Sequence, residues 1–82
     1  MIQSNKKLYK NINEIIWILR RAHHFSYAKQ LEDALSISTV PSEVLGEIRI
    51  ALKELERAEF IDNLKIRSDI KESLDYLNNI LQ

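Results

Sequence analysis

Three features of this 82-residue chain predict an all-α fold, a small four-helix bundle around a central N-terminal helix. There is one glycine and one proline, whereas strand-rich folds need turn residues about every 8 to 12 positions. Apolar residues recur at spacings of three and four along much of the chain, the mark of amphipathic helices. Ile15-Ile16-Trp17-Ile18-Leu19 places five large apolar residues in a row. A helix that is apolar all round must be covered all round, so this run is expected at the centre, with the other helices packed about it. Residues 1–82 are expected to form one domain, because hydrophobic residues are 45% of the chain and can fill one core without a metal or disulfide.

The first helix is expected from about Lys6 to Ala22, with Leu8, Ile12, Ile15, Ile16 and Leu19 facing inward. Trp17 falls on the far side of that stripe, beside Lys10, Asn13 and Arg21. Either another helix covers it, as the need to cover Ile18 next to it favours, or it is an anchor for a partner. His23-His24-Phe25 break the pattern, and Ser26 is a suitable N-cap for a second helix from Tyr27 to about Leu35. Tyr27, Leu31, Ala34 and Leu35 share a face of it. Residues 36–40 read as a polar, β-branched loop. Pro41, whose fixed φ and missing N–H suit a first turn, opens a third helix expected to reach Glu59. Its inward stripe is Val44, Leu45, Ile48, Ala51, Leu52, Leu55 and Ala58. Residues 60–65 form a connection that tucks apolar side chains back toward the core. Ile66, Ile70, Leu74, Leu77 and Leu81 mark the last helix, with Ser68 as its expected N-cap and Asp69 set against the helix dipole.

Several chemistries lack their residues. Without cysteine there is no disulfide, thiol nucleophile or thiolate metal site. His23 and His24 are adjacent, so they do not share a helix face as an i, i+4 ligand pair would. A histidine at the C-terminal, negative end of a helix dipole is the structural reading of that pair. The carboxylates fall on expected solvent faces, no serine has a recognisable His/Asp partner, and no glycine-rich phosphate loop occurs. The chain is expected not to be an enzyme and to carry no cofactor or metal. No stretch approaches the roughly 20 apolar residues of a membrane span, and no signal-like apolar run follows the first residues. No membrane partner is expected, and the expected location is the cytoplasm.

Formal net charge is zero, from twelve basic and twelve acidic side chains, but its distribution is uneven. Residues 1–25 carry five basic side chains against Glu14 alone, whereas residues 26–63 carry eight acidic ones against four basic. Solvated helix faces account for this, or the acidic middle steers a cationic partner. Within that middle, Ile50 lies opposite the inward stripe of the third helix, among Glu43, Gly46, Glu47, Glu54 and Arg57. A lone exposed isoleucine is ordinary; an apolar centre rimmed by acids also has the make-up of a protein-binding hot spot. Glu43, Glu47, Ile50 and Glu54 are therefore the candidate partner-binding residues. Residues 30–40 loosely resemble a helix-turn-helix, the alternative reading being a DNA-binding regulator or antitoxin. Ser36 stands where that motif turns on glycine, however, and Pro41, Glu43 and Glu47 occupy the would-be reading helix, whose acids phosphate repels.

The stretch from Ile18 to Leu35 is a helix ending in two basic residues, a short aromatic turn and a helix closing "LEDAL". A Ser/Thr loop then opens a "GEIRIALKEL" helix within Ser42 to Leu55. This pattern, over roughly residues 15–60, resembles small helical immunity proteins of bacterial contact-dependent growth inhibition and related polymorphic toxin systems. The resemblance implies a protein that binds a cognate toxin domain, often a nuclease, and neutralises it in the cytoplasm; the chain is expected to be a monomer or weak dimer. Surfaces vary within such proteins, so no binding residue transfers by position.

Overall fold

A computed structural model describes residues 2–81. Five helices follow one another: α1 (Asn5–Arg21), α2 (Phe25–Ser36), α3 (Pro41–Leu55), α4 (Ile61–Leu64) and α5 (Arg67–Ile80). The fold is all-α, and no strand occurs among the described residues. The four long helices close a ring in which α1 packs on α2 and α5, and α3 also packs on α2 and α5. The core lies inside the ring. The stripes read from spacing fill it: Leu8, Ile12, Ile15, Ile16 and Leu19 of α1 and Val44, Leu45, Ile48, Ala51, Leu52 and Leu55 of α3 are all buried.

The ring corrects one expectation. The run Ile15–Leu19 is not covered all round: Ile15, Ile16 and Leu19 are buried, Ile18 is half-buried, and Trp17 is 58% exposed. As one wall of a ring, α1 needs cover only where α2 and α5 meet it. The opposite side of its cylinder faces solvent, and Trp17 is in phase with that side.

Helix boundaries moved by one to four residues for local reasons. The first helix ends in a Schellman turn, the His24 N–H donating to the Leu19 carbonyl at 2.8 Å and the His23 N–H to that of Arg20 at 3.0 Å. His23 takes the left-handed position, φ 66°, where glycine is the usual residue. This tight reversal delivers the chain directly into α2, so His24 is the N-cap and the expected cap, Ser26, lies inside the first turn. The third helix stops at Leu55 rather than Glu59, because the Arg57 and Ala58 N–H groups turn to carbonyls three residues back. Phe60 then folds inward, its ring stacked on His24 at 3.6 Å and met edge-on by Tyr27 at 5.3 Å. The expected connection contains a short fifth helix, α4, which buries Ile61 and ends at Lys65 with φ 58°. Ile66 is fully buried by that turn and becomes the N-cap of α5, displacing Ser68 into the helix; Asp69 keeps its place in the first turn.

Polar contacts fix how the walls meet. The Asn11 side-chain amide donates to the Asp69 backbone carbonyl at 3.0 Å and to the hydroxyl of fully buried Ser73 at 2.6 Å, locking α1 to α5. Arg20 pairs with Glu32 across α1 and α2, and Arg67 with Asp62 across α4 and α5 at 2.6 Å. These ion pairs are exposed and add little stability.

Candidate functional site

The exposed side of α3 is built by its helical phase. With Val44, Ile48, Leu52 and Leu55 turned into the ring, Ile50 points out and is 51% exposed. It does not stand alone. Ile37, at the C-cap of α2, is 56% exposed and lines the same shallow groove of about 340 Å³. The short connection holds Ile37 there: Val40 caps α3, and its N–H donates to the Ser38 hydroxyl at 3.0 Å. Glu43 and Glu47, one turn apart, rim the groove, and Arg49 supplies a single cation at its edge. Glu43 sits in the first turn of α3, where the helix dipole favours a carboxylate.

Gly46 is also part of the groove lining. A Cβ added there would meet nothing within 4 Å, so packing does not demand glycine. Glycine inside a helix costs about 1 kcal/mol relative to alanine. The missing side chain keeps the groove open between Glu43, Glu47 and Ile50, at the expense of helix stability.

The structure thus brings together three of the four residues singled out from sequence. Glu43, Glu47 and Ile50 share the groove; Glu54, one turn beyond Ile50, does not line it and accepts a 2.8 Å hydrogen bond from Gln30 of α2. Sequence reasoning missed Ile37, hidden in a Ser/Thr-rich loop, although an apolar residue in so polar a connection was itself a signal. It also missed Arg49, which lies half-buried in the lining of the same groove.

A second surface of opposite charge lies on α1. Trp17 and Arg21 border a slot of about 270 Å³ with Ile18, Ala22 and Leu64, and the Arg21 guanidinium lies 4.8 Å from the Trp17 ring centroid. A wider hollow of about 620 Å³ runs between Ile2 and α5, lined by Glu72, Asp75, Tyr76, Asn78 and Asn79. Its polar groups belong to exposed or half-buried residues. Beside it, burial and then the neighbouring carboxylates Glu72 and Glu14 raise the Asp69 carboxyl above its ordinary value. His23 and His24 each contact a phenylalanine ring, Phe25 and Phe60 respectively. No group of three or more His, Cys, Asp or Glu residues suited to a metal ion occurs among the described residues. No described helix is long and apolar enough to cross a membrane.

No family model matches this chain, and no curated protein or solved structure is significantly similar to it.

Proposed function

We propose that this chain is an immunity protein: a cytoplasmic, stoichiometric binder that occludes the active surface of a basic toxin domain, of which a nuclease is the chief candidate. The observation that carries the reading is the groove of α3, where Ile50 and Ile37 offer an apolar seat while Glu43 and Glu47 offer negative charge. A nuclease must hold phosphate, so its substrate groove is cationic. An acidic rim complements it, speeds encounter and disfavours neutral or acidic partners. The apolar centre supplies the desolvated anchor that interfaces concentrate their energy in. The likeness of residues 15–60 to helical immunity proteins points the same way.

The decisive experiment is co-expression with the toxic domain encoded immediately upstream in the native locus, scored by survival and by one-to-one co-purification. Ile50→Ala is expected to weaken binding about tenfold or more, as loss of a central apolar contact does. Its melting temperature should stay close to the parent's, since Ile50 supports no core. Failure to rescue or co-purify would remove the proposal. The alternative, a duplex DNA regulator reading through α3, must place Glu43 and Glu47 against phosphate. Strong salt-sensitive binding of duplex DNA that Ile50→Ala leaves unchanged would favour it.

A further inference from the structure

The exposed face of α1 is separate from the α3 groove and carries the opposite charge. At about 100° per residue, Lys6, Lys10, Asn13, Trp17 and Arg21 fall within an arc of about 80°. Every one of them is exposed. The interleaved apolar residues that make this segment look like core from sequence are turned the other way, into the ring. What remains outside is a cationic track with one aromatic ring in it.

Fold stability explains only part of that track: Arg21, like Arg20, lies in the last turn of α1, where the negative end of the helix dipole favours a cation. Lys6 and Lys7 occupy the first turn of α1, where no acid sits and where the positive end of the helix dipole disfavours cations. Trp17 leaves more than half its surface in water although Leu8, Ile12, Ile15, Ile16 and Leu19 already complete the inward stripe. Its ring borders the slot that Leu64 closes on the far side, an apolar gap open to solvent. The only carboxylate of α1, Glu14, lies just outside the arc, and with Glu72 of α5 it lines an adjoining hollow beside Lys7 and Lys10.

We infer that this face binds single-stranded nucleic acid, one base stacking on Trp17 in the slot against Leu64 and the backbone phosphates lying along Arg21, Lys10 and Lys6. Aromatic rings on a cationic track are how proteins hold single strands without reading sequence, because every base has a π-face. Lys6 and Lys10 are separated by about 6 Å along the axis, one turn, which suits phosphates following the helix. The Arg21 guanidinium over the ring adds to the stack and reaches the backbone from the same position. A duplex fits less well, since its bases are stacked on their neighbours and offer no free face. A bilayer fits less well because a single exposed aromatic gives little area to insert.

Trp17 is the only tryptophan in the chain, so its fluorescence reports on this site alone. The wild-type protein would be titrated with an oligouridylate of about ten nucleotides, within the usual span of a single-strand site. Saturable quenching is expected at low salt. The affinity should fall with salt at a log–log slope near −2, about three phosphates released at 0.7 each. Followed by anisotropy of a labelled oligonucleotide, Trp17→Ala should weaken binding about tenfold or more, Trp17→Tyr should restore most of it, and Lys10→Glu should weaken it while flattening the salt slope. Ile50→Ala should have no effect, which separates this surface from the α3 groove. Absence of quenching at low salt would overturn the inference. So would equal binding of polyglutamate with no Trp17 dependence, which indicates an acidic protein, or quenching by anionic vesicles alone, which indicates a membrane surface.

Discussion

Gly46 is where the demands of stability and binding can be pulled apart at a single residue. Its site has room for a methyl group and its helix would gain from one. Gly46→Ala is expected to raise stability by about 0.5–1 kcal/mol, read as a higher denaturant midpoint, while weakening the proposed binding of a toxin domain by partly filling the groove. A gain in stability with unchanged binding would move the contact surface away from Gly46. Asp69 offers a second test at this scale. Its first-turn position favours the charged form, yet burial and the nearby Glu72 and Glu14 outweigh that and raise its pKa from the ordinary 3.8. A raised value means the folded state holds the proton more tightly, so this contribution to stability is present in acid and lost as pH climbs through the folded pKa. Asp69→Asn should therefore match the parent below about pH 3.8 and exceed it at neutral pH, measured by unfolding across the range.

At the scale of elements, the junction between α1 and α2 departs furthest from ordinary sequence signals. A Schellman turn is normally announced by glycine, and here a histidine holds the left-handed position at φ 66°. An L-residue there carries a steric penalty of about 1–2 kcal/mol that glycine escapes. His23 also meets Phe25 edge to face at 5.5 Å, and that contact offsets part of the penalty. His23→Gly is expected to stabilise the fold by up to about 1 kcal/mol, seen as a higher melting temperature. A clear loss would mean that the ring contact outweighs the backbone strain. The same turn explains why Ser26 is not a cap. Boundaries depend on where the chain has to reverse, and α1 and α2 must lie side by side for their apolar faces to meet.

Across the whole molecule, net neutrality conceals two fields. The basic surplus of residues 1–25 lies on α1, whereas the acidic surplus of residues 26–63 is spread over α2, α3 and the connection after α3; on α3, a different wall of the ring, Glu43, Glu47 and Glu54 stand against Arg49 and Lys53. Association of a cationic toxin with the α3 face should slow several-fold as ionic strength rises from about 0.01 to 0.15 M, since the screening length falls from about 30 to 8 Å. Replacing both Glu43 and Glu47 by glutamine should lower the association rate and its salt dependence more than it raises the dissociation rate, measurable by stopped flow. An association rate indifferent to both changes would mean that the acidic rim does not face the proposed toxin.

Periodicity, together with the scarcity of glycine and proline, determined the helical class, and periodicity alone the inward stripes of α1 and α3 and the outward phase of Ile50, because the positions sharing a helix face follow from 3.6 residues per turn. It could not decide whether an outward face is covered, since that depends on how many neighbours a helix has. Trp17 was expected to be covered on the strength of a continuous apolar run, and the ring left it in water. Tertiary structure likewise seated Ile37 beside Ile50, drew Glu54 away to Gln30 and separated the basic face from the acidic one. These juxtapositions join residues from different helices, and no regularity along a single segment encodes the distance between them.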